Sequence, residues 1–216
     1  LTESGEATTL IIFARAPIPG EVKTRLIPTL GVQGATALYR RLLHNTLELA
    51  GRSGFQRIEL CCTPDSEHEE FRSLAGRYPL MLSQQQGQGL GHRMYQAMAQ
   101  ALRHCPRVIL IGSDCPQLTL EDLQDARNGL TRYRPLVIGP AHDGGYVLIG
   151  ARKLDPSLFA DIPWGTSRVL SLTRRRISRL GWRWRELRTF QDIDRPRDLR
   201  ALPAGWVGPE WIGQAG

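Results

Sequence analysis

Lysine is almost missing from this chain. Lys23 and Lys153 are its only two, so the 28 cations that outnumber 21 carboxylates and leave a formal charge of +7 are otherwise arginine. Arginine in place of lysine follows genome base composition as readily as function, so the choice of cation carries no functional sign. A basic balance suits nucleic acid, an anionic membrane or a phosphorylated small molecule alike. Long apolar runs are also lacking, and nothing approaches the ~20 residues needed to cross a bilayer. The chain opens LTESGE, without the basic and apolar regions of a secretory signal, so a cytoplasmic location is expected.

Cysteine is scarce as well. Cys61, Cys62, Cys105 and Cys115 show neither paired CxxC spacing nor the density of a secreted disulfide scaffold, which predicts reduced thiols. No histidine lies near Cys115 in sequence, so a catalytic thiol is not expected there. His44, His68, His92, His104 and His142 show no zinc spacing. There is no internal repeat, no Gly-Lys-Ser/Thr phosphate loop and no nucleic-acid recognition motif. The arginines do not gather in a stripe, so nucleic acid is set aside as a partner.

The 216 residues, 41% of them hydrophobic, can bury one substantial core. The organisation expected is an N-terminal tail over residues 1–7, one domain over 8–204 and a C-terminal tail over 205–216. Apolar runs at 8–13, 57–63, 80–82, 108–111, 135–140 and 147–151 read as strands, and 182–187 alternates as a half-buried strand should. Helical spacing fills 34–50, a segment opened by Pro64 and ending near Gly76, 93–104, 119–130, and a capped helix carrying Val169 and Ile177. This rhythm predicts an α/β fold with a mostly parallel sheet flanked by helices.

The run 108–111 is organising. It stops at Gly112 and Ser113, so Asp114 falls at the carboxyl end of a buried strand, where open α/β sheets bind ligands. The alternative is that Asp114 merely caps a turn. Residues 14–26 form a loop stiffened by Pro17 and Pro19, and in an extended segment Lys23 and Arg25 would share one side, as phosphate oxygens require. A solvated basic loop is the competing reading. Gly87, Gly89 and Gly91 lead from a strand into a helix beside Gln88, which lets backbone amides approach a ligand. Asp143, Gly144 and Gly145 are hairpin chemistry, yet the turn leaves Asp143 and Tyr146 near a sheet edge where a substrate could lie. Hard divalent cations take one or two carboxylates plus substrate phosphates, and Asp114 with Asp192 or Asp194 could form such a pair.

Five segments carry a resemblance: FARAPIPGEVKTRL at 13–26, GSDCPQL at 112–118, DGGYVLIG at 143–150, WGTSRV at 164–169 and DIDRPRDL at 192–199. In matching order over roughly residues 8–200, they resemble a bacterial family of glycosyltransferase-like nucleotide-diphospho-sugar transferases, some linked to arsenosugar biosynthesis. The resemblance implies a GT-A fold with the nucleotide at the carboxyl edge of the sheet and Mg²⁺ or Mn²⁺ as cofactor. It puts the metal on Asp114 and Asp194, with Asp192 a further candidate. It puts phosphate or nucleotide against Ala14, Arg15, Lys23, Arg25, Gln88, Gly89 and Gly91. Substrate would meet Asp143, Gly144, Gly145, Tyr146 and Trp164, with Asp114, Lys23 and Asp143 as the catalytic set. Two departures stand out: the first loop lacks the glycine-rich stretch of sugar-nucleotide pyrophosphorylases, and Gly112 replaces the first aspartate of a DxD triplet.

The reaction expected is sugar transfer from a nucleoside-diphosphate donor to a hydroxyl acceptor. The alternative is nucleotidyl transfer, since residues 22–26 also resemble the phospholactate guanylyltransferases. Partners are then a nucleotide or nucleotide-sugar and a small-molecule acceptor, with no membrane span and with a homodimer left open.

Overall fold

A computed structural model describes residues 6–207. Residues 1–5 of the expected N-terminal tail and 208–216 of the expected C-terminal tail lie outside the described residues. Twelve regular elements follow one another: β1 (Thr8–Arg15), α1 (Ile27–Arg52), β2 (Arg57–Thr63), α2 (Glu69–Arg77), β3 (Met81–Gln84), α3 (Gly89–Leu102), β4 (Arg107–Gly112), α4 (Leu120–Gly129), β5 (Leu136–Pro140), β6 (Tyr146–Ala151), α5 (Val169–Arg179) and β7 (Trp184–Glu186). The strands form one sheet in the order β3-β2-β1-β4-β6-β5-β7. β6 pairs antiparallel with both β4 and β5, while the other described pairings are parallel. The sheet is therefore mostly parallel, with one reversed strand created by the 141–145 turn.

The two faces follow from strand alternation. Leu10 and Ile12 of β1 and Ile109 and Ile111 of β4 point to a core closed by α1, α2 and α4. Ile11, Val108 and Leu110 point the other way, against Met94 and Met98 of α3 and Leu170 and Ile177 of α5. Ile12 sits opposite both Leu60 and Ile111 in the ladder, so the central strands are apolar on both faces. Each such fully buried side chain contributes ~1.5–3 kcal/mol.

Several boundaries differ from the expectation. α1 begins at Ile27, and Gly31 (φ 68°, ψ 170°) kinks it, a conformation glycine adopts without strain. α2 starts at Glu69, five residues after Pro64, where His68 caps it through Nδ1. α3 starts at Gly89, so the glycine-rich turn is drawn into the helix itself. α4 begins where expected, because Thr119 and Asp122 complete a reciprocal capping box. α5 has no side-chain cap of that kind. The expected strand at 182–187 contracts to three half-buried residues beside β5. All four cysteines are free and buried. No described helix is long and apolar enough to cross a membrane.

Candidate active site

Asp114 stands two residues beyond β4, at the carboxyl edge. A Cβ at position 112 would lie 3.0 Å from Asp114 Oδ1, so the carboxylate folds back over the glycine. A side chain there, including the first aspartate of a DxD triplet, would crowd it. Burial, with help from the Asp114 charge, pushes the Cys115 thiol up to about 12, which removes it as a nucleophile.

The first loop reaches Asp114 by a different route from the one expected. Lys23 adopts a left-handed conformation (φ 48°, ψ 38°) and Thr24–Leu26 closes a 3₁₀ turn, so Lys23 and Arg25 do not share one side of an extended segment. That correction comes from the turn geometry, which periodicity in a proline-broken loop cannot signal. Lys23 Nζ donates to Asp114 Oδ2 at 2.9 Å and to the Ile193 carbonyl, and its side chain is only 5% exposed. Arg25 Nη1 pairs with Asp194 Oδ2.

Residues 191–195 are held against β4 by backbone and by one buried acid. Ile193 N donates to the Asp114 carbonyl at 3.0 Å. Asp198 is 7% exposed and accepts from Asp194 N, Arg195 N and Gln191 Nε2. Asp192 then faces a cavity of about 230 Å³ together with Asp114 and Asp143. Burial first, then the Asp114 and Asp143 charges, push Asp192 up to about 6. Asp194 is turned to Arg25 and lines a neighbouring depression instead.

The reversed strand brings the 141–145 turn to the same edge. Asp143 Oδ1 accepts from Gly145 N at 2.8 Å, and Ala141 N donates to the Gly145 carbonyl at 3.0 Å. Gly144 (φ 89°) lies so close to Ser167 that a Cβ would meet its carbonyl oxygen at 2.3 Å. The Gly144 carbonyl accepts from Leu170 N, tying the turn to the start of α5. Gly145 and Tyr146 line the cavity, and the Tyr146 ring meets Trp164 edge-on at 6.1 Å. Burial raises the Tyr146 hydroxyl well above its ordinary range. Trp164 in turn packs on Gly91, where a Cβ would come within 2.6 Å of its Nε1.

The remaining candidates stand outside this wall. Ala14 is buried, with its carbonyl accepting from Gln85 Nε2. Arg15 is clasped through its backbone by Tyr39, whose hydroxyl accepts from Arg15 N and donates to Arg15 O. Gln88 is the extended residue preceding α3, Gly89 opens that helix with φ 75°, and Leu90 is the residue of that turn that reaches the cavity. Tyr39, Gln85, Leu90 and Asp198 were not picked out by sequence reasoning. Asp198 accepts the Arg195 N–H three residues back, half of a capping box, but arginine has no side-chain acceptor for the other half, so no capping signal was legible there.

A mixed sheet ordered in this way, with acids and cations gathered at its carboxyl edge, defines the nucleotide-diphospho-sugar-transferase class of α/β folds. A family model described as "Uncharacterized protein conserved in bacteria (DUF2064)" matches residues 46–166, more than half of the chain, and the protein belongs to that family. The crystal structure of a "putative nucleotide-diphospho-sugar transferase" from Desulfovibrio desulfuricans G20 superposes with a TM-score of 0.83 and 34% identity, over 93% of this chain and 86% of that one. The fold is shared with glucosyl-3-phosphoglycerate synthase from Mycobacterium tuberculosis, solved with Mn²⁺, uridine diphosphate and glucosyl-3-phosphoglycerate (TM-score 0.55, 11% identity, 92% and 76% covered). It is shared too with CMP:2-keto-3-deoxy-manno-octonic acid synthetase complexed with CTP (0.56, 13%, 90% and 96%). No curated protein matches the sequence.

Proposed function

We propose that the protein transfers a sugar from a nucleoside-diphosphate-sugar donor to a hydroxyl acceptor, with a divalent cation at the carboxyl edge. The observation that carries this reading is the convergence of Asp114, Asp143 and Asp192 on one cavity walled by Tyr146 and Trp164. An aromatic wall opposite carboxylates suits a sugar ring, which presents both apolar C–H faces and hydroxyls.

The donor set fits Mg²⁺ or Mn²⁺. Among the described residues no group of three His, Cys, Asp or Glu side chains encloses a metal alone. Asp114 and Asp192 would hold it, with substrate phosphates and water completing the shell as hard cations prefer. Burial first, and then the Asp114 and Asp143 charges, make an ionised Asp192 costly, and a bound cation would offset that cost. When bound, the ion supplies positive charge for the diphosphate leaving group.

The chain's own residues would do the rest. Lys23 holds Asp114 in place, and Arg25, half exposed, adds positive charge near the phosphates while paired with Asp194. Asp143 keeps Oδ2 for the acceptor, since Gly145 N occupies Oδ1. The acceptor oxygen then bonds to the anomeric carbon as that carbon's bond to the diphosphate breaks. The nucleoside diphosphate leaves with the electron pair, and the hydroxyl proton passes to Asp143.

Sugar transfer is favoured over nucleotidyl transfer by the aromatic wall of Tyr146 and Trp164 on the cavity that Asp114, Asp143 and Asp192 line. Calorimetry of nucleoside diphosphates, triphosphates and sugar nucleotides, with and without Mn²⁺, tests the reading. Metal-dependent preference for a sugar nucleotide is expected, and a triphosphate preference would replace it with nucleotidyl transfer.

A further inference from the structure

The cavity does not end at Asp143. Asp143, Asp192, Gly165 and Thr166 also line a second depression of about 290 Å³, whose outer wall includes Arg25, Arg195 and Arg197. Asp143, Gln191, Arg197 and Asp198 continue into a third of about 530 Å³, bounded by His142 and Arg200. Each hollow shares four lining residues with the next, so the three adjoin in a row, termed the trench. Its inner end is apolar strand and carboxylate, and its outer end is arginine.

The sign of that outer end depends on which charges are already paired. Arg25, Arg195, Arg197 and Arg200 line the two outer hollows, and so do Asp143, Asp192, Asp194 and Asp198. Asp198, however, is buried under three donors, and Asp194 is bonded to Arg25. Asp143 and Asp192 belong to the inner end. Arg197, by contrast, is 73% exposed along its side chain and among the described residues pairs only with Asp198, at 3.6 Å. Arg195 and Arg200 are exposed beside it. The guanidinium forks therefore open toward solvent at a point continuous with the carboxylate that would receive the acceptor's proton.

We propose that this trench seats the acceptor, and that the acceptor is a small hydroxyl compound bearing an anionic group, phosphate or carboxylate. The anion lies on Arg197 and Arg200 while the hydroxyl reaches Asp143. The inference rests on the transfer reading above and narrows it to a substrate class. Guanidinium groups take such oxyanions in two parallel N–H···O bonds, which fixes orientation as well as affinity. A neutral polyol in the same trench would leave both forks without an acceptor. Anchoring the acceptor away from the reacting centre is how remote binding energy is used to hold a hydroxyl in line.

The test uses three compounds on one carbon skeleton: glycerol 3-phosphate, glycerate and glycerol. Each is titrated at fixed ionic strength into the wild-type chain and into the double variant Arg197→Gln, Arg200→Gln, with and without Mn²⁺ and saturating nucleoside diphosphate. At least one anionic probe is expected to bind about tenfold or more tighter than glycerol, and the double variant to lose that preference while its affinity for the nucleoside diphosphate stays within about twofold. Stronger binding of glycerol 3-phosphate assigns phosphate, and of glycerate carboxylate. Equal binding of all three, an anion preference that survives in the double variant, or displacement of the probe by nucleoside diphosphate overturns the proposal. If no nucleoside diphosphate binds at all, the donor reading fails, and the nucleotide-free titrations still decide the trench.

Discussion

Lys23 Nζ lies 2.9 Å from Asp114 Oδ2, joining two residues 91 positions apart and bringing the first loop to the end of β4. The same ammonium reaches the Ile193 carbonyl, so one buried cation ties together the three segments that shape the carboxyl edge. Its removal should be felt in stability as well as binding.

Lys23→Met keeps the aliphatic stem and removes the charge. Two acceptors are left short of a donor, which costs ~1–3 kcal/mol when the site is largely closed to water. Urea unfolding should show that loss, and metal-dependent nucleotide binding should weaken about tenfold or more, the equivalent of 1.4 kcal/mol. A variant as stable as the parent would show that Lys23 is a solvated cation after all.

Asp114→Asn and Asp192→Asn should each reduce Mn²⁺ affinity by about tenfold or more, because a neutral amide oxygen replaces a charged ligand. Asp194→Asn should change it less, since its carboxylate is turned to Arg25 in the neighbouring hollow. Mn²⁺ titration followed by water proton relaxation measures all three without requiring turnover. A larger loss at Asp194 than at Asp192 would reverse this assignment.

The raised Asp192 pKa gives a pH signature with a definite sign. Its folded value, about 6, lies above the ordinary 3.8, so the fold prefers the protonated acid. That favourable contribution is complete below the ordinary value and is lost as pH rises through about 6. A shift of two units corresponds to about 3 kcal/mol at most, and partial exposure reduces this to roughly 1–2 kcal/mol. Asp192→Asn should therefore stabilise the metal-free protein at pH 7.5 and do little at pH 4. Equal effects at both pH values, measured by denaturant unfolding, would contradict the shift.

Asp198→Ala should loosen residues 191–195, and with them the placement of Asp192. Loss of the carboxylate leaves Asp194 N and Arg195 N without their acceptor, a cost of ~1–3 kcal/mol. Hydrogen exchange should speed up selectively at these amides. Unchanged protection there would remove Asp198 from its positioning role.

How legible all this was depends on where each feature is encoded. The strands at 8–15, 107–112 and 146–151 announce themselves because burial on both faces demands a run of apolar residues, and the position of Asp114 follows from where one run stops. The capping box at Thr119 is local chemistry and was readable too. The left-handed turn at Lys23 was not, because its geometry is stabilised by Asp114 and Ile193, neither of them nearby in sequence. Tyr39 was hidden for a related reason: it reads as one more large residue on the buried face of α1, and its clasp on Arg15 exists only after β1 has docked. That Asp192 reaches the inner cavity and Asp194 does not depends on Ile193 pointing inward between them, which the sequence of one short loop does not reveal.

The reversal of β6 has a consequence for how this architecture can diversify. The parallel half, β1 to β4, carries the elements expected to meet the nucleotide, whereas a separate hairpin tip between β5 and β6 presents Asp143 and Tyr146. That tip is anchored to the scaffold at Gly144 by its contacts with Ser167 and Leu170. Under the proposed reading the receiving molecule meets this tip together with Arg197 and Arg200, so its identity could change without rebuilding the β1 to β4 half of the sheet.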